Sequence, residues 1–161
     1  MAQHMRSAAR PRRGLTLIEL MVVVALLGII GVLAAPSFNQ MFARNALRGA
    51  AAEAYADLQY ARSEAVQRNA AVTLAFSSGG YTISRGGQPL KTVTLSGGTT
   101  IDSGATMSVV FDPVRATAAV NDGPVVFSHP RTTGTLRVAV NLLGRVELCS
   151  PSASVPGVAS C

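Results

Sequence analysis

The stretch RRGLTLIELMVVVALLGIIGVLAAPSF, from Arg12 to Phe38, decides how the rest of the chain is read. From Leu15 to Ala35 it carries a single charged residue, Glu19. As a helix rising about 1.5 Å per residue, that run is roughly 30 Å long, the thickness of a bilayer core. A secretory signal has a shorter apolar region, about 7–15 residues, closed by a small-residue cleavage site. The small residues of GVLAAPSF follow too long a run for that, and cleavage there leaves Glu19 without a reason. Arg6, Arg10, Arg12 and Arg13 precede the run with no acid among them. They predict a cytoplasmic N-terminus, with the chain beyond Ala35 outside the cytoplasm.

A carboxylate at the centre of a membrane helix costs on the order of 3 kcal/mol, and no Lys or Arg lies within the run to pair with Glu19. One account is a plain anchor whose acid snorkels to the headgroups. The other is a cut between Gly14 and Leu15. The new α-amine on Leu15 then sits one helical turn from Glu19, at i and i+4, and the acid acquires a physical purpose.

Gly14 followed by LTLIEL, with a basic leader before it and the apolar run after it, resembles the type III prepilin signal of type IV pilins and type II secretion pseudopilins. The resemblance implies that a prepilin peptidase and methyltransferase cuts after Gly14 and methylates Leu15. It also implies that Glu19 docks the subunit against a neighbour's N-terminal amine, and that Pro36 kinks the helix. Leu15 stands where Phe is most usual in that family, which changes the methylated residue. The leader starts at Met1 or Met5, equally basic from either.

Beyond Pro36 the helix is expected to continue to about Asn69. Phe38, Met41, Phe42, Ala46, Leu47, Ala50, Ala54, Tyr55, Leu58, Ala61 and Ala65 recur at spacings of three and four, an amphipathic pattern. Arg44, Arg48, Glu53, Asp57, Arg62, Glu64 and Arg68 fill the other faces, with Glu64 and Arg68 at a favourable i, i+4 spacing. A proline inside a helix removes a hydrogen bond, so a bend is expected at Pro36, near the membrane surface. The remainder predicts strands at 71–76, 81–85, 90–95, 107–111, 124–128, 135–140 and 145–149. Gly-Gly pairs, DP, NDGP, HP and NLLG punctuate them as turns. No second long helical pattern follows, and SPSASVPGVAS reads as a loop. The fold class is therefore α+β. A long N-terminal helix, half transmembrane and half amphipathic, packs on one antiparallel sheet or two small ones. The organisation is a cleaved basic leader over 1–14, a transmembrane half-helix over 15–35, and a periplasmic domain over 36–161 that includes the helix to about 69.

The net charge of +6 first suggests nucleic acid, yet four of the fourteen basic residues lie in the leader. Without it, ten basic residues face eight acids. The Gly-Gly pairs open no helix and lack the Lys and Ser or Thr of a phosphate loop, so they are turns. No catalytic constellation stands out. His129 is the one histidine beyond the leader, no partner is marked for it, and Asp102, Asp112 and Asp122 fall at turn-like positions. No cofactor is expected, and Cys149, Cys161 and His129 do not make a typical zinc set. In a cytosolic chain the two cysteines are free thiols. Outside the inner membrane a Cys149–Cys161 disulfide is favoured, worth roughly 3 kcal/mol for so short a loop.

DLQYARSEAVQRN (57–69), VVFDP (109–113) and LLGRVELC (142–149) resemble the helix, a later strand and the C-terminal signature of GspH/FimT-type minor pseudopilins. That resemblance implies a non-enzymatic, inner-membrane-anchored subunit at or near the tip of a type II secretion pseudopilus or type IV pilus. Its partners would be other pseudopilins or minor pilins. The alternative is a DNA-binding minor pilin of an uptake pilus, with Arg131, Arg137 and Arg145 as the contacts. Some relatives carry a C-terminal Gly-Arg-x-Arg motif for DNA, but here Gly144, Arg145 and Val146 are followed by Glu147, which removes a phosphate contact and adds repulsion. A third class, a simple anchored periplasmic binding protein, leaves the processing site unexplained.

Overall fold

The apolar run and the amphipathic stretch form one helix. In the computed structural model, which describes residues 16–102, 107–121, 123–151 and 155–161, α1 spans Leu17–Arg68. Thr16 caps it: its hydroxyl accepts the Glu19 N–H at 3.3 Å, and its carbonyl accepts the Leu20 N–H at 3.2 Å. A hydroxyl there satisfies one of the unpaired amides of the first turn. The helix stops before Asn69, whose φ of 49° lies in the left-handed region that Asn tolerates. Ala70 N–H then closes back on the Ala65 carbonyl at 3.2 Å.

The chain divides into two compact units, Met1–Ser37 and Phe38–Cys161. The boundary falls within α1, just past Pro36, which offers no N–H to the carbonyl of Val32. In the first unit every described residue is exposed except the half-buried Ala34. Its most apolar 18-residue window has a mean hydropathy of 2.8, enough by length and composition to cross a membrane.

The second unit holds nine described strands: β1 (Val72–Ser77), β2 (Gly80–Arg85), β3 (Gln88–Thr94), β4 (Thr100–Asp102), β5 (Ser108–Phe111), β6 (Ala118–Asn121), β7 (Val125–His129), β8 (Thr132–Val140) and β9 (Val146–Cys149). They form two antiparallel sheets, ordered β3-β2-β1-β5-β6 and β4-β7-β8-β9. β4 and β6 were absent from the sequence-based expectation. Both are edge strands of three or four residues, held by the ladder of a neighbour rather than by an alternating pattern of their own. Asp102, expected in a turn, ends β4 opposite Val126.

Alternation sets the register. Leu74 on β1 lies between Ile83 of β2 and Val109 of β5, and Val72 pairs with Phe111. These point to the same side as Phe76 and Tyr81, whose rings lie 5.2 Å apart. The second sheet contributes Ile101, Val125, Phe127, Leu136 and Val138 to the same core. α1 meets them with Leu47, Ala51, Ala54, Leu58, Ala61 and Ala65, all fully buried. Phe38, Met41 and Phe42, expected on that stripe, are exposed. They precede the first helical turn that the sheets cover, where Ala43 is the earliest buried residue.

Two acids depart from expectation more sharply. Asp57 and Glu64, assigned to open faces of α1, are both buried. Lys91 on β3 donates to both Asp57 oxygens at 2.9 and 2.7 Å, and to Glu53 at 3.2 Å. The Tyr81 hydroxyl donates to Asp57 Oδ2 at 2.6 Å. Glu64 takes Arg85 of β2 at 2.5 Å and Arg68 of its own helix at 3.3 Å. Cations and a phenol on the sheet thus compensate carboxylates that alternation alone would have left in water.

Arg62 ties the other flank. Its Nε donates to the Ala116 carbonyl at 3.2 Å and its Nη2 to the Leu143 carbonyl at 3.2 Å. The Ala118 N–H donates to the Leu142 carbonyl at 3.1 Å, so the β5–β6 and β8–β9 loops lie side by side. Asp112 shapes the first loop by accepting from Arg115 N–H at 2.7 Å and Val114 N–H at 2.9 Å. Those backbone donors, the Arg115 amide foremost, hold its carboxyl below the usual range. Gly144 completes the contact. It has φ +72°, and a Cβ there would stand 2.5 Å from the Ala116 carbonyl oxygen and 3.0 Å from Arg62 Nε.

Gly144→Ala is therefore expected to cost about 2–4 kcal/mol, the sum of left-handed strain and overpacking against backbone. Gly86→Ala, at φ +57° with open space around it, should cost only the strain, about 1 kcal/mol. Denaturant unfolding of the two variants decides this, and equal losses would contradict the role given to the Ala116 contact. A second expectation concerns pH. Burial first, and the Asp57 carboxylate second, push the Tyr81 phenol up. The hydrogen bond to Asp57 raises Lys91. Both groups have folded values above their unfolded ones, so their contribution is complete below about pH 10 and is lost as pH rises beyond it. The unfolding midpoint should fall between about pH 10 and 11, and fall less steeply in Tyr81→Phe. A slope identical in the two proteins would refute the assignment.

Candidate functional site

Gly14 and Leu15, the expected cleavage and methylation positions, lie outside the described residues. Glu19 is on the first turn of α1, where the positive end of the helix dipole favours a carboxylate. Its side chain is exposed and makes no ion pair among the described residues. Leu17, Ile18, Leu20 and Met21 around it are also exposed. Among the described residues, both the acid and the apolar surface beside it are left uncovered. Thr16 was missed as a functional neighbour, although a signal was present: Thr followed three residues later by Glu is the capping-box spacing.

The second candidate surface is a groove of about 1240 Å³ in the second unit. Tyr55, Gln59 and Arg62 of α1 form one wall, and β8 and β9 form the other. The C-terminal residues line one part of it. Cys149 and Cys161 are joined as a disulfide, Cα to Cα 5.0 Å. Ser150 donates to Ala159 O at 2.8 Å and accepts from Cys161 N–H at 3.3 Å, so the tail is laid against the end of β9.

The three arginines considered as DNA contacts do not form one patch. Arg137 and Arg145 line this groove, whereas Arg131 lines a separate cleft beside Arg44. Glu147 also lines the groove, with its Oε1 3.8 Å from Arg145 Nε. The acid that breaks the Gly-Arg-x-Arg pattern therefore sits against the arginine it would have joined. His129 is buried with both ring nitrogens engaged: Nε2 lies 2.7 Å from the Gly97 carbonyl, and Nδ1 accepts the Arg131 N–H at 3.1 Å. That is a structural role. Arg62 gave no signal in sequence because its partners lie 54 and 81 residues away.

The three segments singled out in sequence meet in space. Arg62 belongs to DLQYARSEAVQRN, Ala116 follows VVFDP by three residues, and Leu143 and Gly144 begin LLGRVELC's turn. Residues 50–144, more than half of the chain, match the family described as type II transport protein GspH. Residues 9–35 match the prokaryotic N-terminal methylation motif. No curated protein matches the chain. Among solved structures, the type IV minor pilin FimU of Pseudomonas aeruginosa (strain PAO1) is similar in two crystal forms. One has a TM-score of 0.54 at 25% identity, covering 71% of this chain and 96% of that one. The other has a TM-score of 0.52 at 24% identity, covering 70% and 98%. The α+β arrangement of one long helix on antiparallel sheets is thus a pilin-like fold. Since the family match covers more than half of the chain, from the middle of α1 to the turn whose Leu143 carbonyl Arg62 holds, the chain belongs to the GspH family of pilin-type proteins.

Proposed function

We propose that this chain is a non-enzymatic minor pseudopilin or minor pilin, cut between Gly14 and Leu15, methylated on Leu15 and docked into a filament through Glu19. Residues 15–35 anchor it once in the inner membrane, with the leader cytoplasmic and residues 36–161 periplasmic. Pro36 bends the helix where it leaves the bilayer, and the subunit takes a place at or near the filament tip. The observation that carries this reading is Glu19, without an ion-pair partner among the described residues, on the first turn of a helix whose apolar N-terminal part is exposed. In a lone chain the arrangement is unfavourable; in a bundle of such helices a neighbour's Leu15 amine offers the missing charge and neighbouring apolar faces offer the cover. The match to the methylation motif supports the cut that creates the amine. The DNA reading is weakened by the separation of Arg131 from Arg137 and Arg145, and by Glu147 beside Arg145.

Intact mass of membrane-extracted protein is expected to show a chain that starts at Leu15 and carries one added methyl group. A mature chain that retains Arg13, or one cut after Ala35, would remove the basis for the proposal. Glu19→Ala should insert normally, since it relieves a cost on the order of 3 kcal/mol at mid-bilayer depth and less near its edge. Its recovery with other pilin-type subunits from the same membranes should fall at least several-fold. Unchanged recovery would contradict the docking role.

A further inference from the structure

We propose that the cleft between α1 and the β7–β8 turn binds the phosphate group of a small anion or a lipid headgroup. The cleft has a volume of about 250 Å³ and is lined by Gln40, Arg44, Pro130, Arg131, Thr132 and Thr133. Both charged side chains in that lining are cations, and no carboxylate accompanies them. Neither Arg44 nor Arg131 makes an ion pair among the described residues. Arg44 Nε is buried with no hydrogen-bond partner among the described residues, an unsatisfied donor of the kind that costs stability.

The turn that presents Arg131 is held from behind. Nδ1 of His129 accepts the Arg131 N–H at 3.1 Å, and the opposite ring nitrogen lies 2.7 Å from the Gly97 carbonyl. Because Nδ1 accepts, the ring proton is on Nε2 and donates to Gly97. Thr132 Oγ1 accepts the Gly134 N–H at 3.3 Å, which leaves its own proton free to donate. Two arginines and two threonines thus line one small opening. A tetrahedral phosphate has enough oxygens to accept from all of them, and guanidinium forks match it well. The opening suits one phosphate group rather than a nucleic-acid track, for which Arg137 and Arg145 lie in another groove.

Two sources of phosphate share this chemistry. Along α1, Gln40 and Arg44 follow Ala35 by five and nine residues, about 7 and 13 Å of helix. A headgroup is therefore the source expected for a membrane-anchored chain, and this part of the inference rests on the anchoring proposed above. A soluble phosphate needs no membrane.

The test uses full-length protein in a neutral detergent. Its melting temperature is followed with added inorganic phosphate, with micelles doped with phosphatidylglycerol, and with micelles doped with phosphatidylcholine. Phosphate also stabilises proteins by exclusion from their surface, so each titration is repeated on Arg131→Gln and on Arg145→Gln, which lies outside the cleft. Arg131 is exposed, and its replacement leaves the core untouched. Apparent affinity should weaken by roughly tenfold in Arg131→Gln, the scale of one charge-assisted contact, and stay unchanged in Arg145→Gln. Such a loss with phosphatidylglycerol alone assigns the headgroup, and one with inorganic phosphate assigns the soluble anion. Stabilisation that is absent, or equal in all three proteins, overturns the site. So does an oligonucleotide, titrated in the same way, whose binding depends more on Arg131 than that of either phosphate source. Protein recovered without any membrane association would sink the anchoring instead, and would leave the inorganic phosphate titration to decide the cleft.

Discussion

Ala51, Ala54, Ala61 and Ala65, set between and beyond Leu47 and Leu58, give α1 a narrow buried stripe, and both sheets are arranged around it. Short side chains on that stripe share one core with apolar residues of both sheets. A larger residue at any of these positions would overpack the contact by about 1–3 kcal/mol. The bulk then has to come from the strands. Phe76, Phe111 and Phe127, three of the five phenylalanines, are fully buried there, whereas Phe38 and Phe42 on the helix remain exposed. A chain with few aromatics makes its core by giving the large residues to the sheets and the small ones to the helix.

That stripe fixes which residues flank it, and the flanks carry the polar ties. On one side Glu53, Asp57 and Glu64 meet Lys91, Tyr81 and Arg85 of β2 and β3. On the other, Arg62 reaches the loops after β5 and β8. Apolar contact along an alanine stripe is weakly directional and tolerates rotation or sliding of the helix. Buried hydrogen-bonded charges do not, because a shifted helix would strand them unpaired. The polar flanks therefore set the helix against the sheets.

The first unit is built on the opposite terms. Its large apolar side chains are exposed among the described residues, so the described part of the chain gives them no cover. The match that shows the family covers residues 50–144, within the unit whose core is buried, while the methylation motif covers residues 9–35, whose described large apolar side chains are exposed.

Much of this was open to reading from the sequence. Periodicities of 3.6 and 2 are local, and Gly, Pro and Asp punctuate them locally, so the long helix, the main strands and their turns follow from neighbours a few residues apart. The apolar run with Glu19 behind Gly14 is likewise a local arrangement. The edge strands β4 and β6 were not legible, because a three- or four-residue strand is made by its partner's ladder. Burial of Asp57 and Glu64 was not legible either. A carboxylate on a helix reads as solvated until a cation from a strand at least 21 residues away arrives. The same holds for the arginines: composition groups Arg131 with Arg137 and Arg145, but the strand order places them in different openings. Sequence determined the long helix, the main strands and the run apolar and long enough to cross a membrane, since those depend on short-range pattern. Tertiary structure alone decided which charges are buried and which cations share a surface, since those depend on contacts between residues that the chain keeps far apart.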